Sequence, residues 1–464
     1  MPGLTERLEC PNGSCDVHWR YGGGATESVL HPMVLVAMLV TILVILWSPR
    51  KFGLVAFLLS TFLIPGGQEI LVSGVHVFVF RIIVLAGLIR AIRALGSRGA
   101  SLLGGGWNSI DSVFSLWVCF HVVAFVLLYL DGGALINQAG YIVDYLGGYL
   151  VLRHLIQDEQ GVNSAIKCFS FLAVVFAICM VRELMTGQNL FGLLGGVRLE
   201  SEVREGRVRS EAVFQHAILA GTFGATLIPL FVWLWRTGKS KLLSIGGVLA
   251  AGVMVITSAC STPVLACAAG VLGMCFWPFR KHMRLFRWGA LIMLLAFHVA
   301  MKAPVWALIE RIDLVQGSSS YHRYQLIEQF IRHAGDWWLL GTKTNFKWGE
   351  GMIDTSNAYV EQGTGGGLLT FILFIVLIAR CFGRIGTARK AVEGQDRSKE
   401  WFYWLLGVSM FAHVTAFLGI FYFDQTRVAW FALLAMISAG TYLPLAQPVK
   451  RVSVELAERV SVAS

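Results

Sequence analysis

Charged side chains are scarce in this 464-residue sequence. Asp, Glu, Lys and Arg make up 14% of the chain, against about 25% in an average soluble domain. Hydrophobic residues reach 56%, and apolar runs recur along almost the whole length, which a single membrane anchor would not produce. The composition excludes a soluble enzyme, a secreted disulfide scaffold and a disordered chain, and it predicts a membrane protein.

Motifs for metals and nucleotides are also missing. The nine cysteines are scattered, with no CxxC pair and no Cys/His cluster of metal-ligand spacing. Only Cys10 and Cys15 lie in a polar segment where they could pair. The glycine-rich run that starts at Gly363 lacks the Lys-Ser/Thr of a P-loop. We therefore expect no metal and no cofactor.

Apolar runs of membrane-crossing length predict an all-α polytopic membrane protein with 12 or 13 transmembrane helices. The count is 12 if the short run 52–64, which ends in Pro-Gly-Gly, is a broken or re-entrant piece. The candidate spans are 33–47, 52–64, 70–89, 113–130, 139–155, 169–181, 213–235, 242–257, 262–277, 288–301, 366–379, 401–420 and 429–445.

The formal net charge of +10 is explained by membrane topology rather than by a nucleic-acid partner. Basic loops resist translocation, and most of the 38 Lys and Arg residues fall on one side when the N-terminus is placed outside and the C-terminus in the cytoplasm. The predicted regions are an external N-terminal segment 1–32, helices 1–10 in 33–301 with a basic external loop at 182–212, a long extracytoplasmic loop 302–361 with short helices, helices 11–13 in 362–446, and a cytoplasmic tail 447–464.

The external loop 182–212 carries three arginines just before a span. Arg204, Arg207 and Arg209 are suited to grip a phosphate-bearing lipid head through bidentate hydrogen bonds. Neighbouring acids allow the alternative of a solvated charged loop. His216 begins the next span at the same depth as the arginines, where it is either an interfacial polar cap or a catalytic group.

In the long loop, the pattern at 319–334 predicts a helix. Arg323 falls in the middle of its apolar stripe, and its neighbours Tyr321 and His322 could bind a sugar or a phosphate. A guanidinium group in such a place needs an anion or a hydrogen-bond partner. The alternatives are a structural salt bridge to Glu310 or Asp313, or snorkelling to the interface.

Polar residues then precede the glycine-rich span. Asp354, Asn357 and Glu361 lie at the predicted outer end of this helix. One reading is a helix cap formed by Asp354 or Ser356. The other makes a carboxylate the general base toward a sugar hydroxyl, with Asn357 orienting the acceptor.

Four ionisable residues lie within or near the spans. Asp111, Asp144, Arg81 and Glu183 are functional candidates because charged groups in a bilayer usually face the bundle interior. Their small number and their positions near span ends favour structural pairing equally.

Several of these segments together resemble the O-antigen ligase/polymerase family. The resemblance rests on Arg204-Glu-Gly-Arg-Val-Arg, the Thr257-Ser-Ala-Cys-Ser-Thr-Pro turn, Tyr321-His-Arg-Tyr with Trp338-Leu-Leu-Gly, and Ser356-Asn357 before a glycine-rich span. It covers about 50–445, with one long external loop before the last three spans.

This resemblance implies metal-independent, inverting transfer of a glycan from undecaprenyl diphosphate at the outer face of the bacterial inner membrane. It implies that Arg207 or Arg209 and Arg323 hold the donor diphosphate. Ligase members carry a His-Asn pair where this sequence has Ser356-Asn357, which leaves Asp354, His322 or Glu361 as substitutes for the histidine.

The expected function is polymerisation of lipid-linked repeats for an O-antigen or exopolysaccharide, with the lipid bilayer, the lipid-linked oligosaccharide and other polysaccharide-assembly membrane proteins as partners. Ligation to another acceptor is the first alternative. A lipid-linked glycan flippase or transporter is the second, and a non-catalytic assembly scaffold is the third.

Overall fold

The computed structural model describes residues 28–95, 102–236, 240–311 and 320–442. Cys10, Cys15, Asp313, most of the predicted segment 1–32 and all of 447–464 lie outside these ranges. The structure is 75% helical. Five helices are long and apolar enough to cross a membrane, and four shorter apolar helices accompany them. The predicted helical membrane architecture is confirmed at this level.

Sixteen α-helices follow one another along the described chain. They are α1 Pro32–Trp47, α2 Arg50–Leu63, α3 Val79–Leu95, α4 Ser109–Tyr129, α5 Gly132–Ile142, α6 Gly148–Leu155, α7 Glu159–Thr186, α8 Ala217–Arg236, α9 Lys241–Thr257, α10 Ser261–Cys275, α11 Met283–Ala300, α12 Ser320–Arg332, α13 Ala334–Trp337, α14 Ala358–Ala391, α15 Arg397–Ala416 and α16 Thr426–Gly440. A π-helical turn, Val143–Gly147, joins α5 to α6.

Two antiparallel hairpins interrupt the helices. Strands β1 (Glu69–Val72) and β2 (Val75–Phe78) form the first, and β3 (Glu202–Arg204) and β4 (Arg207–Arg209) form the second. The prediction of a helical span over 70–89 is therefore wrong for its first part, because α3 begins at Val79. The run 52–64 is a continuous helix, α2, and not a broken one.

Helices α8 and α16 form the centre of the bundle. Most of α8 is buried, as is nearly every residue of α16, which fits helices that are apolar on all faces. Helix α8 packs against α9, α10 and α15, and α7 packs against α9 and α2. By contrast, no residue of α11 is buried.

Part of the predicted long loop has a small core of its own. The expected helix over 319–334 is present as α12, and its Leu326 and Phe330 are buried together with Trp337. The Trp337 indole stacks on Phe330 with ring centroids 4.0 Å apart. The rest of this core is formed by Trp348, Met352 and Val360. This packing fixes the orientation of α12 and so of Arg323.

The glycine-rich run lets this small core dock against α14. A Cβ added to Gly363 would lie 2.6 Å from the Phe330 ring. Helix α14 is interrupted at Gly367, where φ is 76° and ψ is −178°, a conformation that is essentially restricted to glycine. At this break the Leu368 N–H donates to the Trp338 carbonyl over 2.8 Å. The glycines thus serve close packing between the long loop and a span.

We expect Gly367→Ala to destabilise the protein by about 1–3 kcal/mol, because alanine is strained at this φ and ψ. Its Cβ would also lie 2.4 Å from the Leu339 carbonyl oxygen. Thermal unfolding in detergent, with faster hydrogen exchange over 338–342, measures the loss. Gly383→Ala in the same helix is the matched control, since nothing lies within 4 Å of its added Cβ. Equal midpoints for the two variants would contradict this account of the break.

Candidate functional site

The first turn of α10 begins at an N-cap residue without a capping side-chain hydrogen bond. This N-cap residue is Cys260. Ser261 and Thr262 follow and are buried. The first N–H groups of a helix lack partners within the helix, and together with the helix dipole they make its N-terminus partly positive. This end of α10 is therefore suited to receive an anion.

Arg323 brings a guanidinium group to this helix end. Its Nη1 donates to the Ser261 hydroxyl over 3.2 Å, and its Nη2 donates to the Thr262 hydroxyl over 3.0 Å. Helix α12, anchored by the small core described above, carries this arginine to α10. The arginine that stood out in the apolar stripe is therefore directed at two polar side chains.

Arg209, the last residue of β4, approaches the same helix end. Its Nη2 donates to the Cys260 sulfur over 2.6 Å, and its Nη1 donates to Glu202 over 3.1 Å. The residue is 6% exposed, and its Nε has no hydrogen-bond partner among the described residues. A buried guanidinium with an unused N–H keeps a donor for a further acceptor.

The Cys260 thiol lies between the two arginines. Burial raises its pKa, while the positive charges of Arg209 and Arg323 lower it. The thiol remains a neutral group that donates to the Ser258 carbonyl over 2.9 Å. Two guanidinium groups and a helix N-terminus thus meet at residues 260–262, which with Arg209 and Arg323 we call the α10 site. Glu202 compensates part of this positive charge.

Buried carboxylates hold the Arg209 hairpin in place. Glu183 of α7 accepts the backbone N–H of Glu211 over 3.0 Å, that of Ala212 over 2.9 Å and the hydroxyl of Ser201 over 2.9 Å. The Ser210 N–H, next to Arg209, donates to the Thr257 carbonyl at the end of α9 over 3.1 Å. These bonds fix the position of Arg209 relative to α10.

The segment between α15 and α16 passes over the α10 site. A Cβ on Gly419 would lie 2.4 Å from the Thr262 hydroxyl and 3.2 Å from the Arg323 Nε. The Asn357 side chain donates to the Leu418 carbonyl over 3.2 Å. Any side chain at position 419 would occupy space beside the arginine.

The other arginines of the first basic loop do not reach the site. Arg204 and Arg207 face each other in register next to the turn of the hairpin, and both are exposed. Of the three arginines predicted to act together, the structure brings only Arg209 to α10.

The remaining predicted residues lie around the site in different roles. The Asn357 side chain caps α14 by accepting the N–H of Tyr359 and Val360. The Asp354 side chain is exposed. The backbone carbonyl oxygen of Asp354 lies 3.1 Å from the His322 Nε2. Tyr321 is 56% exposed. Asp354 and His322 are thus adjacent to each other and, along α12, to Arg323.

Two further predicted residues have structural partners. Glu361 accepts the Thr355 hydroxyl. The His216 Nδ1 accepts the Ile218 N–H over 3.1 Å at the start of α8. Burial, followed by the charge of Arg209, lowers the His216 pKa to about 4, so this imidazole is neutral at neutral pH.

Sequence reasoning missed Cys260, Ser261 and Thr262 as site residues. They stand at the start of an apolar span and are followed by Pro263, a pattern typical of a helix N-terminus, so a signal for them existed. The pairing of Glu202 with Arg209 had no such signal beyond their placement on either side of a Glu-Gly turn.

No protein-family model matches the sequence, and no curated protein matches it. The interpretation of the site therefore depends on its own geometry.

A pH test checks the buried carboxyl group of Glu211, which interacts with the Glu183 carboxylate that holds the hairpin. Burial, followed by the charge of Glu183, raises the Glu211 pKa from 4.5 to about 8. Between these values the folded protein keeps a proton that the unfolded chain loses, so this group's contribution to stability falls as pH rises toward 8. We expect Glu211→Gln to flatten the decrease in thermal midpoint between pH 5 and about pH 8. Glu205→Gln, at the exposed hairpin turn, should show the same decrease in thermal midpoint with pH as the parent protein. The same decrease in Glu211→Gln would refute the raised pKa of Glu211.

Proposed function

We propose that this chain is a membrane glycosyltransferase that polymerises glycan repeats carried on undecaprenyl diphosphate, in the manner of the O-antigen ligase/polymerase family. The observation that carries the proposal is the α10 site, where guanidinium groups from β4 and α12 meet at a helix N-terminus whose N-cap side chain makes no capping hydrogen bond. Helix N-termini and arginines are the two most common protein partners of phosphate groups.

The proposed topology places this site at the outer face of the bacterial inner membrane. With 13 spans, an external N-terminus and a cytoplasmic C-terminus, both β3–β4 and α12 belong to external loops. The start of α10 and the 417–425 segment then lie at the same face. This arrangement puts the arginines where the headgroup of a lipid in the outer leaflet would be.

The chemistry fits the charges at the site. An acceptor hydroxyl attacks the anomeric carbon, the bond from that carbon to the diphosphate oxygen breaks, and the diphosphate leaves with the bonding electrons. Arg209, Arg323 and the α10 N–H groups stabilise the negative charge that develops on the leaving group. Partial burial strengthens this stabilisation because it excludes water.

The hydroxyl proton passes to a general base near α12. His322 and Asp354 are candidates because His322 adjoins Arg323 in α12 and its Nε2 lies 3.1 Å from the backbone carbonyl oxygen of Asp354. Glu361 is a third. Asn357 is held at the start of α14 beside the 417–425 segment, where it would orient the acceptor. Ligation to a different acceptor uses the same donor site and is the alternative outcome of the assay below.

Removing the Arg323 side chain tests the proposal. Purified protein supplied with lipid-diphosphate-linked oligosaccharide should lengthen the glycan without added divalent metal, and Arg323→Ala should lower the rate by about 100-fold or more. Arg332→Ala is the matched control, because Arg332 lies on the same helix in an exposed i,i+4 pair with Glu328 and should change the rate little.

The product distinguishes the remaining possibilities. Lengthened lipid-linked glycan indicates polymerisation, and transfer to an unlike acceptor indicates ligation. Full activity of Arg323→Ala would refute the role of that arginine. A parent protein that transfers no glycan would refute the proposal in favour of a scaffold or a transporter.

The orientation is tested by labelling with a membrane-impermeant maleimide. In intact spheroplasts, Lys347→Cys should be labelled, since this exposed residue lies in the predicted external loop. Lys390→Cys, at an exposed position near the end of α14, should be labelled only after the membrane is opened. The reverse pattern would overturn the proposed topology.

A further inference from the structure

A second pair of arginines shares one carboxylate elsewhere in the fold. Arg81 of α3 donates through Nε and Nη2 to the two oxygens of Asp144, over 3.1 Å and 3.2 Å. The Nη2 of Arg427, in α16, lies 3.5 Å from the same carboxylate. Asp144 belongs to the π-helical turn between α5 and α6, and such turns are frequent at functional sites. Two guanidinium groups thus contact a single anion.

Both guanidinium groups are held in place by their surroundings. The Arg427 guanidinium lies over the Phe80 ring at 5.4 Å and over the Tyr145 ring at 5.3 Å. Its Nε has no hydrogen-bond partner among the described residues. A Cβ on Gly140 would lie 2.6 Å from the Arg81 guanidinium carbon, so this guanidinium packs on bare backbone. Side-chain exposures of 21% for Arg81 and 19% for Arg427 leave both accessible.

Arg280 and Arg389 share Glu400 in the same way, so the position of the Arg81–Arg427 pair is what distinguishes it. Arg81 and Arg427 stand in the first turns of α3 and α16, where the helix dipole disfavours cations. The negative charge of Asp424 also faces Arg427, while its oxygens accept the N–H groups of Thr426 and Gln215. A second anion between the two arginines would offset the unfavourable helix dipoles and accept the Arg427 Nε–H group, which has no hydrogen-bond partner among the described residues.

One chain segment connects the second cluster to the α10 site. Gly419 lies beside Arg323 and Thr262, and eight residues further on the same segment reaches Arg427. An extended chain of this length places the Cα atoms of Gly419 and Arg427 at most roughly 28 Å apart. Two anion sites within this distance can hold the diphosphates of two lipid-linked glycans that react with each other.

We propose that Arg81 and Arg427 form a second oxyanion site, which binds the diphosphate of the acceptor lipid while the α10 site binds that of the donor. This inference rests on the proposed function and deepens it. Polymerisation joins two glycans that are both carried on lipid diphosphates, whereas transfer to a different acceptor requires one such site. In the free protein the Asp144 carboxylate binds both guanidinium groups and competes with the diphosphate for them.

Binding of farnesyl diphosphate to the full-length protein in detergent tests the second site. Native mass spectrometry should show two molecules per chain, and Arg427→Gln and Arg323→Gln should each reduce the number to one. The matched control is Arg280→Gln, because Arg280 also pairs with a carboxylate, Glu400, and lies over a Trp277 ring. This control should keep two molecules bound.

Asp144→Asn gives a second and opposite readout by calorimetry. It removes the competing negative charge, so farnesyl diphosphate should bind the second site several-fold more tightly. A purely structural triad predicts unchanged or weaker binding, which would overturn the proposal even if Arg427→Gln fails to fold. Inorganic pyrophosphate should bind at least tenfold more weakly than farnesyl diphosphate. Equal affinities would overturn the proposal that the ligand of the second site is a lipid.

The failures of the two proposals are distinguishable. A parent protein that binds one farnesyl diphosphate and still lengthens lipid-linked glycan would refute the second site alone. Two bound molecules without any glycan transfer would refute the proposed function and support the second oxyanion site.

Discussion

The structure depends on a concentration of positive charge at the N-terminus of α10. Two guanidinium groups approach the N-terminus of α10, which is itself partly positive. In a protein with so few charged residues, this arrangement costs free energy unless an anion compensates it. Glu202 supplies part of the compensation through Arg209. The account of function follows from placing a lipid diphosphate at this cluster of hydrogen-bond donors.

Much of the surrounding architecture serves to hold the two arginines at α10. The Glu183 carboxylate fixes the segment after β4 through backbone N–H groups, and the Phe330–Trp337 core sets the direction of α12. The glycine-rich start of α14 lets that core approach closely. Elements that are distant in the sequence are thus connected by a buried carboxylate, a small aromatic core and close packing at glycines.

The sequence was informative where a local pattern determines the structure. The apolar repeat over 319–334 predicted α12, because an i,i+4 stripe specifies a helix face wherever it packs, and the unusual place of Arg323 in that stripe pointed to a partner. The β1–β2 hairpin was missed because its Ile, Leu and Val residues are as apolar as those of a span. The resemblance implied that Arg207 or Arg209 acts together with Arg323, but the contact of Arg209 with Cys260 could not be predicted, since it forms through tertiary packing. For the same reason the sequence did not separate Arg209 from Arg204 and Arg207.

The most direct test of the central claim is an experimental structure of the protein in nanodiscs with undecaprenyl diphosphate. The account predicts density for the diphosphate between Arg209, Arg323 and the first turn of α10, with the lipid chain extending into the bilayer. A headgroup bound elsewhere, with Arg209 still on Glu202 and Arg323 still on the Ser261 and Thr262 hydroxyls, would contradict it.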